Sequence, residues 1–364
     1  MDPELAHRPG PSQKSGRIYV YYPRGTRTGG PEALHQLVHT LRGLGHEAFL
    51  VPMRRTVGIP RVDDFSVYDA PEAERVQDAL GNTVVVPELY LEGLEGVRMA
   101  KRFCWWLSID NSPLFRAERR LLLGLDDHAP MARLRRLRNR YRATTGPARI
   151  RWSKLRTMEH LTQSHYAWSF LYTRLNIVGS ALSDYTRTDV ACSNRQSGHP
   201  SRPVVAYNVA KGGHLVDQLR QRSNMPVTWK PITGMTPGQV VETLKRADIY
   251  LDLGHQPGKD RMPREAASAG ALVVVARQGA GAFSSDVPIP WEHKVDTRGD
   301  IVDNATATLE SLLPRLADEG RRQAFYRSVI AGEQSTFEAE VRAIFSEGKT
   351  GTDVVIDALT NARE

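Results

Sequence analysis

Cysteine is almost absent: Cys104 and Cys192 are the only two in 364 residues. That excludes a disulfide framework or a cysteine-rich zinc site, and it fits a reducing compartment. The sequence holds no run of about 18 apolar residues that would span a bilayer as a helix. Met1 to Gly16 is polar and Pro-rich and lacks an apolar h-region, so 1–16 reads as a disordered leader, not a secretory signal. Internal repeats and low-complexity tracts are missing too. Aromatic residues make up 7% of the chain and do not interleave regularly with basic ones in the way that stacks bases.

The remaining composition, 40% hydrophobic and 25% charged, is that of a globular protein long enough for two domains. The formal charge of +8 implies an anionic partner: nucleic acid, anionic lipid or a phosphorylated substrate. This charge is concentrated. Phe115 to Arg156 carries thirteen Lys/Arg against three Asp/Glu, a net of +10, which leaves −2 for the rest of the chain. Within it, Arg116–Leu125 and Met131–Tyr141 read as helices, the second with Leu134 and Leu137 on one side and arginines over most of the rest. Such a segment suits an anionic membrane surface better than RNA, or makes a solvated excursion.

The chain opens on a strand, Arg17–Pro23, followed by a turn at Gly29-Gly30 that is glycine-rich but not GxGxxG. Pro31 suits a first helical position and Glu32 the positive helix end. Leu34, Leu37, Val38 and Leu41 recur at helical spacing before a strand at Glu47–Val51. Further strands are expected at Thr83–Glu88, Arg102–Ile109, Glu159–Ser164 and Ile177–Leu182, with a helix from about Tyr166 to Leu175. Several of these strands end in polar residues: Glu88, Asp110 with Asn111, and Asp184. In a parallel sheet such ends share one crevice, although each residue would serve equally as a cap or turn. A Ser/Gly/Pro-containing linker at 191–203 precedes a second series. This runs strand Val204–Asn208, helix Gly212–Arg222, strand Val227–Ile232 and helix Pro237–Ala247, with Lys211 placed just after its first strand, where phosphates bind.

Ile249–Arg277 organises the rest. It reads as strand, polar loop, helix and buried strand, with Leu272–Ala276 apolar on both faces. The loop Gly254–Met262 is too polar for core, and Pro263 suits the first position of the helix after it. Lys259, Arg261 and Arg264 would form an anion pocket at the helix start, with Glu265 accepting from hydroxyls. The same residues would also make an ordinary solvated loop. The fold expected is α/β: two Rossmann-like domains, 17–190 and 204–345, facing a central cleft. A largely helical tail, including 346–364, reaches back toward the first domain.

WWLSIDN, HLTQSHYAW, LSDYT, AYNVAKG and above all DLGHQPGKDRMPREAASAG resemble bacterial glycosyltransferases of the GT-B type, in the group associated with capsular or other surface polysaccharides. The resemblance covers about Arg17 to Pro290. It implies a C-terminal domain that binds a nucleoside diphosphate sugar, UDP- or GDP-linked, and an N-terminal domain that holds a saccharide or lipid-linked acceptor. It further implies that Glu265 holds the ribose hydroxyls and that Lys211, Lys259 and Arg261, with Arg264 behind them, hold the diphosphate. Backbone N–H groups at Gly258, Lys259 and Asp260 would face the donor hexose. Retaining families often carry a Glu eight positions before the ribose Glu; here that position is Pro257.

Transfer requires the leaving diphosphate to be neutralised, which side-chain cations and a helix N-terminus do without a metal or other cofactor. Asp110 is the first choice for a base acting on the acceptor, then Glu88 and Asp184, in a crevice shared with Gly29-Gly30. The enzyme would be cytoplasmic and attach peripherally to the inner membrane face through 115–156. Nucleic acid is not an expected partner. A sugar-nucleotide epimerase and a nucleic-acid binder organised by 115–156 are the rival readings.

Overall fold

A computed structural model describes residues 16–112, 155–187, 202–351 and 353. The leader, nearly all of the basic segment 115–156, most of the 191–203 linker and the far tail lie outside the described residues.

Two parallel sheets form the frame. The first carries β1 (Ile18–Tyr22), β2 (Ala48–Pro52), β3 (Thr83–Pro87), β4 (Lys101–Trp106), β5 (Glu159–Thr162) and β6 (Ser180–Ala181), in spatial order β2-β1-β3-β4-β5-β6. Helix α1 (Gly29–Gly43) follows β1, and α2 (His165–Leu175) follows β5. The second sheet carries β7 (Val204–Asn208), β8 (Thr228–Ile232), β9 (Ile249–Asp252), β10 (Leu272–Ala276) and β11 (Lys294–Val295), in order β11-β10-β9-β7-β8. Its crossovers are α3 (Gly213–Arg222), α4 (Pro237–Arg246) and α5 (Arg261–Ser268). The chain then runs through α6 (Ile301–Leu312), α7 (Leu316–Arg322), α8 (Ala324–Ala331) and α9 (Glu333–Val341).

Local sequence accounts for these elements. All five residues of β10 are buried, as a strand covered by helices on both faces requires. Leu34, Leu37, Val38 and Leu41 bury one face of α1 against the first sheet. Thr236 and Gln239 close a capping box at the start of α4, and Asp300 caps α6 through the N–H groups of Val302 and Asp303.

The elements differ from expectation in several places; the strand expected at Arg102–Ile109, for one, ends at Trp106. Helices α1 and α5 each begin two residues before their proline, so Pro31 and Pro263 occupy the third helical position. Four N–H groups at a helix start have no intrahelical partner, so proline there forfeits no bond. Gly29 and Gly30 accordingly belong to α1 itself. The expected strand Ile177–Leu182 shrinks to two residues, and β11 had no sequence signal. Gly254, Gln256 and Gly258, read as too polar for core, are buried, Gly258 against Leu107 of the first domain.

Chain order reverses direction across each sheet between β1 and β3, and between β7 and β9. At such switch points the loops beyond the strand ends diverge and leave a crevice. The two crevices face each other. Helix α9 then leaves the second domain: Phe337, Val341 and the following Ile344 lie in the first domain's core, where Phe337 stacks on Trp105 with ring centroids 6.3 Å apart. The C-terminal helices thus pack back on the first domain, and the return begins at Glu333. No helix among the described residues is long and apolar enough to cross a membrane.

Candidate functional site

Two adjoining cavities occupy the cleft. One, of about 600 Å3, is lined from the first domain by Gly29, Gly30, Glu88 and Leu107 and from the second by Lys211, Asp252 and the loop Pro257 to Arg261. The other, of about 620 Å3, is lined by Glu32, Arg187, Val240 and Glu265 among others. Arg27, Thr28, Gly29, Arg261 and Met262 belong to both walls. Each volume suits part of a drug-sized ligand.

The shared wall is the start of α1. Its N-cap, Thr28, makes no side-chain cap. The first-turn N–H groups carry the positive end of the helix. A Cβ on Gly29 would lie 2.8 Å from Cδ of Arg261, so the glycine lets that arginine lie across the helix start. Arg261 bridges the domains by pairing with Glu32 of α1, and it reaches Glu265 at 3.4 Å on its own helix.

Glu88 follows β3 directly and is 1% exposed. Its Oε2 accepts from the Leu107 N–H at 3.0 Å. Burial pushes the carboxyl up to about 8, against the opposing backbone N–H groups of Leu107, Glu88 and Ser108. Across the cleft, Lys211 pairs with Asp260, and Lys259 lies 3.4 Å from Glu333. Asp252 ends β9. Its Oδ1 accepts from the Gly254 N–H at 2.9 Å, and its Oδ2 is buried without a partner. Burial, and then the Asp260 charge, raise this carboxyl to about 7, opposed by Lys211. The Gln256 side chain also favours the charged form, and its amide is itself buried without a partner.

The Pro257–Lys259 loop is clasped to the first domain. The Ile109 N–H donates to the Pro257 carbonyl at 3.0 Å, and the Lys259 N–H donates to Gln163 Oε1 at 3.0 Å. A Cβ on Gly258 would lie 2.2 Å from the Leu107 carbonyl oxygen, so only glycine allows this approach.

Eight of the twelve residues expected at the site line the first cavity: Gly29, Gly30, Glu88, Lys211, Gly258, Lys259, Asp260 and Arg261. Glu265 lines the second. The other three line neither. Asp110 accepts from the Tyr166 hydroxyl at 2.8 Å and hydrogen-bonds His255 of the second domain. Asp184 and Arg264 are buried together at 2.8 Å, and Arg264 also holds Glu333 at 2.9 Å. Burial pushes the Asp184 carboxyl up, but the charges of Arg264, Lys259 and Arg261 outweigh it and hold the group below its ordinary value. Arg264 therefore ties α5 to both the first domain and α9 and does not face the cavities. The Lys259 N–H, expected to face a hexose, is engaged by Gln163. Sequence reasoning missed Gln163, His255 and the role of Asp252, whose signal was a lone carboxylate at the end of an apolar strand. Among the described residues, no group of three or more His, Cys, Asp or Glu is arranged to hold a metal ion.

No protein-family model matches the chain, and neither does any curated protein. Its likeness is to solved structures. Anabaena Alr3699/HepE, crystallised with UDP, superposes with a TM-score of 0.59 at 11% identity, over 91% of this chain and 100% of that one. Sucrose-phosphate synthase from Thermosynechococcus elongatus gives 0.55 at 12% identity, over 96% and 98%. WaaG, a glycosyltransferase of lipopolysaccharide biosynthesis, gives 0.53 at 10% identity, over 89% and 99%. At such identities the likeness is one of fold: two parallel α/β domains in the GT-B arrangement.

Proposed function

We propose that this protein is a glycosyltransferase that moves a sugar from a nucleoside diphosphate sugar to a saccharide or lipid-linked acceptor. The observation that carries the reading is the pair of adjoining cavities, which share Arg261 and the start of α1 at facing switch points. A donor fits across them. Its ribose meets Glu265 in the second cavity, its diphosphate crosses the shared wall, and its hexose enters the first cavity beside Glu88 and Asp252. The Anabaena structures with UDP and with UDP-glucose support a nucleotide-sugar ligand for this fold, and UDP or GDP is the expected carrier.

In this reading Arg261, Lys211 and Lys259, with the helix start, neutralise the departing diphosphate without a metal. Each is paired with a carboxylate in the free protein, so the ligand displaces Glu32 and Asp260 from them. Glu88 becomes the leading candidate to take the acceptor's proton, because it lines the cavity and burial pushes its carboxyl up to about 8. Asp110 and Asp184 are held by His255 and Arg264. The product belongs to polysaccharide or glycoconjugate synthesis at the cytoplasmic membrane face, with 115–156 as the attachment. The structural likenesses give the epimerase and nucleic-acid readings no support.

The test is a thermal-shift and calorimetric panel of UDP, GDP, dTDP and CDP with their sugars. One of them at about 100 times its Kd should stabilise the fold by roughly 2.7 kcal/mol. Arg261→Ala and Lys211→Ala should each weaken that binding about tenfold or more, as expected for a lost charged hydrogen bond. A flat panel sinks the proposal.

A further inference from the structure

A third cavity, of about 390 Å3, lies beyond the clasp that joins the Pro257–Lys259 loop to the first domain. Gln163 and Lys259 line both it and the first cavity, so the clasp is the wall between the two. Gln163 directly follows β5, and its N–H donates to the Trp106 carbonyl at 3.2 Å, so the sheet sets its position. The residue is 7% exposed, and the surface it keeps opens onto the two cavities it lines. Its Oε1 accepts from the Lys259 N–H at 3.0 Å. Only the oxygen end of an amide accepts, so this contact leaves Nε2 as the free end. Nε2 has no acceptor among the described residues and keeps access to solvent.

The rest of the third cavity is polar without an excess of positive charge. Trp168 stacks on Tyr172 with ring centroids 5.2 Å apart, which holds the indole in place on the wall. Glu340 of α9 takes the Ser183 N–H at 2.7 Å and the Ser183 hydroxyl at 2.9 Å on Oε2, which leaves Oε1 free. Asp286 of the second domain takes the N–H groups of His165 and Tyr166 at 2.7 and 3.0 Å. Among the described residues that line the cavity, Lys259 is the sole Lys or Arg, and its ammonium lies 3.4 Å from Glu333. Two carboxylates facing one paired ammonium disfavour a phosphate. A fixed amide donor, a free carboxylate oxygen and an indole instead suit a neutral ring bearing several hydroxyls, which donates to Glu340 and accepts from Gln163.

We infer that the third cavity receives the acceptor saccharide, with Gln163 Nε2 donating to one of its oxygens where the cavity meets the first. This rests on the glycosyltransferase reading above and deepens it. The same amide holds the Lys259 loop of the donor site through Oε1, so one side chain sets the spacing between the two substrates.

The experiment follows the methyl α- and β-glycosides of glucose, galactose, mannose and N-acetylglucosamine by saturation-transfer NMR on the full chain, in the presence of whichever of UDP and GDP binds it. The wild type should bind at least one glycoside. Thr336→Trp fills the cavity from an exposed position on α9 and should abolish that signal. Ser285, exposed on the second domain, supplies the same blockade as Ser285→Trp if melting curves show that the first variant does not fold. Trp168→Ala should weaken the glycoside about tenfold, while the nucleotide Kd, measured by calorimetry, changes less than about twofold in each variant. Glycoside binding that survives the blockade, or a wild type that binds nucleotide but none of the glycosides, overturns the inference and leaves the donor reading standing. Displacement of the glycoside by an equal concentration of inorganic phosphate assigns the cavity to an anion and also overturns it. If neither UDP nor GDP binds the wild type, the donor reading falls and takes the acceptor role with it.

Discussion

Replacing Arg264 by methionine separates a structural role from a ligand contact. The guanidinium is 1% exposed and holds two carboxylates, Asp184 at 2.8 Å and Glu333 at 2.9 Å. It also donates to the carbonyls of Asp260, Lys259 and Asp184. Methionine fills much of the space but leaves both carboxylates buried. Glu333 keeps Lys259 at 3.4 Å and the Thr186 N–H at 3.0 Å, whereas Asp184, whose Oδ1 is already unpartnered, loses its closest cation. Removing one partner of a buried pair costs about 3–5 kcal/mol, and for a chain of this size that lowers the melting temperature by roughly 5–15 °C. The loss depends on pH. Asp184 titrates below its ordinary value in the folded protein, so its contribution is complete above the unfolded value of about 3.9 and disappears as pH falls through the folded one. Melts of wild type and Arg264→Met should therefore lie far apart from pH 7.5 down to about pH 4 and converge only below that. Neutralising the stranded carboxylates in Asp184→Asn, Glu333→Gln, Arg264→Met should recover at least half of the loss. A single variant that melts within about 1 °C of wild type yet loses nucleotide binding would refute this reasoning and return Arg264 to the ligand.

Two further outcomes follow from the site. Burial raises Glu88 from 4.5 to about 8, so the neutral carboxyl stabilises the fold fully below about pH 4.5 and loses that advantage as pH rises to about 8. Glu88→Gln should melt level with wild type near pH 4.5 and several degrees above it at pH 8.5, while the rise of transfer rate between pH 6.5 and 9 disappears; a rate profile identical to wild type would remove Glu88 from the chemistry. Gly258→Ala places a methyl 2.2 Å from the Leu107 carbonyl, which should force the domains apart, visible as a larger radius of gyration by solution scattering and weaker donor binding; an unaltered radius would show that the clasp yields locally.

Much of the frame was legible because parallel sheets advertise themselves: buried runs such as Leu272–Ala276 followed by Gly, Pro and charged residues mark strand ends that converge on one crevice. The cations near α5 show where that legibility stops. Lys259, Arg261 and Arg264 look equivalent in sequence, yet one faces the cleft across Glu32, one reaches Glu333 and one is buried. The difference lies in partners 69 to 229 positions away, which no local pattern carries. The helix starts were misplaced for a local reason, since proline is as comfortable at the third position as at the first. Asp252 stood in plain view in an apolar strand, but its free oxygen exists only in three dimensions. Helix α9 has the faint amphipathicity of an unremarkable tail, and only the Trp105 surface it covers explains Phe337.

That last feature bears on how the protein is made. The first domain's core needs Phe337, Val341 and Ile344, which the ribosome delivers roughly 150 residues after β6. At about 5–20 residues per second the wait is on the order of 10–30 s. Throughout it the face of the sheet around Trp105 stands open while the second domain is built and folds. The nascent chain must therefore hold a half-finished domain in a crowded cell and close it last, with the same stroke that brings Glu333 to Arg264 and locks the cleft into register.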